Sequence, residues 1–226
     1  MRHAAALRML AAIAALASLG GARSFGEDEA ARLSNRAAQD RDIVYSLHDP
    51  GAHSFLLHHD YTESREGMDH YVNVVRKGST SSRPSAVLLD TGDSLETRTL
   101  RGEEISKAKV DIGEPVKPDS EAVVVRFPPV KKGRTVRIRI TETYTDPKSF
   151  RLEGDELVFD RSFGRPRNTV ILPGGWYLTA SSIPATVSET EDGRIRLVFV
   201  NGRPDEIAVL LRARRRLDTS KAAPAR

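Results

Sequence analysis

The chain has no cysteine. That excludes a disulfide framework, thiolate zinc sites, a cysteine nucleophile and anchoring through a lipidated cysteine. Aromatic residues are few, with 7 Phe, 5 Tyr and 1 Trp among 226 residues. Val, Ile and Leu are nevertheless plentiful enough to exclude a wholly disordered chain. No apolar run reaches the roughly 20 residues that about 30 Å of hydrocarbon demands. Charge is not one-sided either: 35 basic residues stand against 31 acidic ones, a net of +4. The length suits one large domain or two small ones.

What is present begins with a leader. Arg2 and Arg8 flank a basic start, Met9 to Leu19 is apolar and Ala-rich, and small residues follow in Gly20-Gly21-Ala22-Arg23-Ser24. Residues 1–24 therefore read as a cleaved secretory signal peptide, which predicts a secreted or periplasmic bacterial protein with no transmembrane segment after cleavage. Cleavage removes Arg2, Arg8 and Arg23, leaving a net of about +1. The last fifteen residues hold Arg212, Arg214, Arg215, Arg216, Lys221 and Arg226 against Asp218, so the body is mildly acidic and the tail basic. This balance argues against nucleic acid as a partner.

Residues 25–41 are polar and Ala-rich, a leader or one short helix. From Asp42 onward short runs alternate at period two. Val136, Ile138 and Ile140 alternate with Arg137, Arg139 and Thr141. Ile195, Leu197 and Phe199 form a second such set, and Ile207, Val209 and Leu211 a third. Glu153-Gly154-Asp155, Asp192-Gly193 and Asn201-Gly202 supply turn residues between them. The pattern predicts an all-β, Ig-like antiparallel β-sandwich. We expect one lobe over 42–146 and a second over 147–216, with Gly113 to Pro118 as another possible joint. Residues 217–226 read as a disordered tail.

Val87-Leu88-Leu89-Asp90-Thr91-Gly92 resembles the active-site turn of aspartic proteases, in which two carboxylates share a proton. Asp93 departs from that pattern and no second Asp-Thr-Gly exists. The competing expectation is a hairpin turn, with Asp90 exposed and Gly92 at positive φ. The histidines of the mature chain fall together: His48, His53, His58, His59 and His70, with Asp49, Asp60 and Asp69 among them. A hairpin turning at Arg65-Glu66 would make His59 and His70 diagonal neighbours, within reach of one metal ion. Otherwise they border the core.

Arg137, Arg139, Arg194, Arg196, Arg212 and Arg214 lie on strands and would form one basic face if those strands were neighbours. Trp176 follows Pro173-Gly174-Gly175 and has two expected placements: a core plug, or an exposed anchor for a partner. No nucleophile elbow, Walker spacing or His-Glu-x-x-His occurs, so no cofactor is expected.

Two stretches carry a resemblance. One spans His59-Asp60-Tyr61-Thr62-Glu63 to Asn73-Val74-Val75-Arg76-Lys77-Gly78-Ser79. The other runs from Pro129-Val130-Lys131-Lys132-Gly133 through Thr141-Glu142-Thr143-Tyr144 to Pro166–Pro173. Together they resemble exported bacterial β-sandwich proteins and are distantly similar to the β-domains preceding transglutaminase-like cores and to ribophorin-type domains. The resemblance implies a sandwich and export, and it carries over no catalytic residue. The expected function is a non-enzymatic binding or structural role at the cell envelope, with another envelope protein or an anionic glycan as partner. The rival expectation is a hydrolase built on Asp90 or on a His/Asp metal site.

Overall fold

The computed structural model describes residues 40–216. The expected signal peptide, the leader up to residue 39 and the basic tail from residue 217 lie outside them. Fifteen strands and little helix make the described chain all-β, as the period-two alternation predicts. Among the described residues, no helix is long and apolar enough to cross a membrane.

The platform is an eight-stranded sheet. It contains β1 (Arg41–Leu47), β2 (Ser54–Glu63), β4 (Thr80–Leu88), β5 (Ser94–Leu95), β8 (Val136–Thr145), β11 (Arg167–Ile171), β13 (Thr186–Glu189) and β14 (Ile195–Val200). Their spatial order is β13-β14-β11-β1-β2-β8-β4-β5. A four-stranded sheet, ordered β12-β15-β10-β9, is built from β9 (Phe150–Glu153), β10 (Glu156–Phe163), β12 (Trp176–Ser181) and β15 (Ile207–Arg215). A three-stranded sheet, β3-β7-β6, uses β3 (His70–Val74), β6 (Thr97–Arg101) and β7 (Glu121–Arg126). One short helix, α1 (Glu103–Lys107), follows β6.

Both small sheets cover the same face of the platform. Register fixes that face: Ile43 pairs with His59 and His59 with Ile140, while Tyr45 pairs with Leu57 and Leu57 with Glu142. Directly paired residues share a face, so alternate positions of β1, β2 and β8 look inward together. One core joins Tyr45, Leu47, Phe55, Val170 and Leu197 of the platform to Phe159, Phe163, Leu211 and Trp176 of the four-stranded sheet. Rings dominate it, with Tyr45 stacked on Phe163 at 5.3 Å and Phe55 on Tyr144 at 5.6 Å. A smaller core joins Tyr61, Ala86, Ile138 and Ile140 to Tyr71 and Val125 of the three-stranded sheet.

Three features of the topology lie beyond what local alternation reveals. Pairing is not wholly antiparallel, because β1 and β11 run parallel. The platform also runs through the expected boundary near 146, since β11 and β14 extend it beside β1. Finally, β2 and β3 do not form a hairpin. β2 pairs with β1 and β8, whereas β3 pairs with β7 in another sheet. Ser64 to Asp69 is thus a corner between sheets, which Glu63 pins by accepting from the Ser64 and Arg65 amides.

Candidate functional site

The two small sheets share the larger core through Val123 of β7, but they do not cover the whole of the platform face. Between them, open to solvent, lies a cleft of about 1090 Å³. Its floor is the middle of the platform: Ile43 and Tyr45 of β1, Leu57 and His59 of β2, Glu142 and Tyr144 of β8. One wall is β3, with Asp111 to Glu114 beside it, and the other comprises Arg161, Arg165 and Glu206. Arg41, Arg65 and Met68 line one end.

The cleft exists because polar residues occupy inward positions of otherwise apolar strands. β1 reads Arg41, Ile43, Tyr45, Leu47 on its inner side; β2 reads Phe55, Leu57, His59, Tyr61, Glu63. β8 inserts Glu142 between Ile140 and Tyr144, and β10 inserts Arg161 between Phe159 and Phe163. All five of these polar residues are buried. An ionisable group removed from water needs partners, and the partners divide the cleft into unlike ends.

At one end the accounts close. Arg161 Nη1 donates to Asp146 Oδ2 at 2.7 Å, and its guanidinium lies 5.0 Å from the Tyr144 ring centroid. Burial pushes the Asp146 carboxyl up, but the Ser149 hydroxyl and amide and the Arg161 charge bring it below its ordinary value. Glu142 accepts from Asn73 Nδ2 at 2.5 Å and from the Ser81 hydroxyl. Burial still raises its carboxyl above the usual range, favouring the protonated acid.

The other end is different. Arg41 stands opposite Tyr61 in the register, and its guanidinium lies 4.5 Å from the Tyr61 ring centroid and 5.3 Å from that of Tyr71. Among the described residues its Nη1 makes one long contact, 3.4 Å, to the Tyr71 hydroxyl. Glu63 is already engaged by Arg65, at 2.6 and 2.9 Å, and by the Tyr61 hydroxyl. Burial alone would raise the Glu63 carboxyl, but those bonds hold it at about 2; burial and Glu63 push the Tyr61 phenol up to about 12. His59 is 2% exposed, and burial followed by the charges of Arg41 and Arg165 drives its pKa well below 6.5. Its imidazole is neutral at physiological pH.

The residues singled out from sequence are placed as follows. Asp90 sits exposed in the turn after β4, accepting from Arg137 Nη1 at 2.9 Å, with Gly92 at φ +79°. His59 and His70 both line the cleft but from different sheets; His59 meets the Tyr71 ring, while His70 Nδ1 lies 2.6 Å from its neighbour Asp69. No group of three or more His, Asp and Glu among the described residues is placed to hold a metal ion. His58 points to the outer face, beside Arg139 and Asp60.

The six arginines expected on strands form no common face, and Arg194 lies outside β14, just before its first residue. Arg137 and Arg139 belong to β8, which β2, β1 and β11 separate from Arg196 on β14, while Arg212 and Arg214 lie in the four-stranded sheet. Arg139 is held bidentately by Asp60 at 2.7 Å, Arg194 by Asp192 at 2.8 Å, and Arg212 and Arg214 by Glu156. Trp176 is buried in the larger core, with Arg215 over its ring at 5.2 Å. Sequence reasoning passed over Arg41, Glu142 and Arg161. The signal was available: each breaks the apolar phase of its strand.

No protein-family model matches the chain, and neither does any curated protein. Among solved structures, an M1 zinc metallopeptidase from Deinococcus radiodurans is similar with a TM-score of 0.43 and 15% identity over 77% of this chain. An aminopeptidase N family protein from Idiomarina loihiensis is similar with a TM-score of 0.40 and 11% identity over 76%. The matches cover 41% and 29% of those two chains, so this chain spans well under half of either. Likenesses this slight carry no functional argument. The cleft must supply it.

Proposed function

We propose that the protein is an exported, non-enzymatic binding module of the cell envelope whose ligand, carrying negative charge, seats in the cleft between the two small sheets. The observation that carries this reading is the cleft itself: about 1090 Å³, floored by an ordered sheet and lined by ionisable side chains. Small-molecule sites occupy roughly 300–1,000 Å³, so several sugar units or a short peptide would fit. Export rests on the leader in residues 1–24. The rival hydrolase readings receive no geometric support, because Asp90 is on an exposed turn beside an arginine and no metal-binding cluster is assembled among the described residues. An anionic envelope glycan is the partner class we favour.

The test is binding of acidic envelope polysaccharides, and of their neutral counterparts, to the wild-type chain and to Val74→Trp. Val74 lines the cleft and is 37% exposed, so the larger ring should fill the opening without disturbing a core. Charge-selective binding that Val74→Trp abolishes is the expected result. Undiminished binding by Val74→Trp would refute the placement, and shortening of the polysaccharide by wild type would refute the non-enzymatic role.

A further inference from the structure

Three side-chain nitrogens at one end of the cleft are buried and lack any hydrogen-bond partner among the described residues: Arg41 Nε, Arg165 Nη1 and His59 Nε2. In folded proteins roughly nine in ten buried polar groups are paired, and an isolated unpaired polar atom is unremarkable. Three converging on one cavity are not. Arg41 is 7% exposed and His59 2%, so water does not substitute freely for the missing partners.

We propose that Arg41, Arg165 and His59 form an oxyanion-binding site, which receives a carboxylate or phosphate group of the ligand. The assignment rests on the cleft being the binding site. Its chemistry follows from the donors: two guanidinium groups offer planar, permanently charged N–H forks that match two oxygens of one anion. A neutral imidazole adds a third donor when its proton sits on the nitrogen facing the pocket. Burial first, and the like charge of Arg165 after it, lower the pKa of Arg41, and an anion between the two guanidiniums would relieve their repulsion.

The internal control is Arg161. It is as deeply buried as Arg41, yet the fold supplies it with Asp146 at 2.7 Å and with aromatic faces. Where an arginine serves structure, a carboxylate accompanies it. At the other end Glu63, two residues along β2 from Tyr61, is engaged by Arg65, Tyr61 and two backbone amides. Glu142 is engaged by Asn73 and Ser81, and the Asp111 carboxylate accepts from the Gly113 amide at 2.7 Å. The Tyr61 and Tyr71 rings lie 4.5 and 5.3 Å from the Arg41 guanidinium carbon and restrain it before any ligand arrives.

The experiment titrates the full chain with sodium phosphate and, separately, sodium acetate, at constant ionic strength against chloride. Calorimetry gives affinity, and the His59 ring and Arg Nε–H signals in nitrogen-15 spectra report location. We expect saturable binding that shifts both signals, weakened about tenfold or more in Arg41→Gln and in Arg165→Gln, and unchanged in Arg137→Gln. Phosphate alone would assign a phosphate group, and acetate alone a carboxylate. No response beyond chloride, or wild-type affinity in both glutamine variants, would overturn the site. Should either variant misfold, an unmoved His59 signal in the wild type is sufficient to overturn it. Failure here with Val74→Trp still blocking polysaccharide removes the oxyanion assignment and leaves the cleft. Anion binding with polysaccharide indifferent to Val74→Trp does the opposite.

Discussion

Arg161 and Arg41 sit on opposite sides of one cleft and have met burial in opposite ways. Around Arg161 the four-stranded sheet closes onto the platform, rings pack edge to face, and the charge is neutralised within the chain. Around Arg41 the three-stranded sheet leaves a gap, two rings supply their faces and Tyr71 a long hydroxyl contact, and among the described residues no carboxylate forms an ion pair with the charge. The first region is organised for cohesion. The second tolerates an electrostatic cost that cohesion alone does not explain, and such exceptions tend to mark functional sites.

The contrast sets the order of mutational effects. Phe159→Ala should cost most, about 3–5 kcal/mol, because Phe159 is fully buried against Tyr45, Phe55, Phe150 and Phe163. Urea unfolding measures it. A loss near 1 kcal/mol would show that the larger core is loosely packed. Asp146→Ala comes next, at about 3 kcal/mol, since it strands the buried Arg161 charge. Arg41→Met should change stability by less than about 1 kcal/mol: relief of an unpaired buried charge offsets the lost cation–π contacts. Equal losses in Asp146→Ala and Arg41→Met would erase the distinction between the two ends.

The titrating groups sharpen it further. The folded pKa of His59 is depressed, so the unfolded chain takes up protons first on acidification. Its contribution is intact above pH 6.5 and is lost at up to about 1.4 kcal/mol per pH unit below that. Glu142 has the opposite sense. Its folded pKa is raised above 4.5, so its contribution falls as pH climbs from 4.5 through the folded value. Denaturation curves at pH 7.5 and 5.5, compared between wild type and His59→Gln, isolate the first effect; parallel curves for the two proteins would contradict it. The smallest change belongs to Asp90→Asn, which loses one exposed ion pair with Arg137 and should shift stability by at most about 1 kcal/mol. A larger loss would mean that the turn after β4 is more than a connection.

Much of the strand content was legible in the sequence, because alternation is local. Ile138 and Ile140, Leu197 and Phe199, and Val209 and Leu211 face cores as their spacing predicts. Partner choice was not legible. Arg65-Glu66 reads as a hairpin turn, yet Glu63 captures the following amides and β3 pairs in another sheet. With that went the pairing of His59 with His70. The cleft was written in the strands as charged residues at apolar phase, but such a residue reads equally well as a strand end or a register slip. Only the neighbouring sheets decide between a satisfied ion pair and an open pocket.

The parallel pairing of β1 with β11 has a kinetic consequence. A growing chain completes β1, β2 and β8 early, while β11 emerges only after β10, so one flank of β1 waits as an unpaired edge. Closing that flank brings together distant parts of the chain, the kind of contact that slows folding and exposes intermediates to misassociation. Tyr45 and Val170 sit face to face in the register at this seam. The rate at which the seam forms should therefore govern how long the immature protein depends on protection from aggregation.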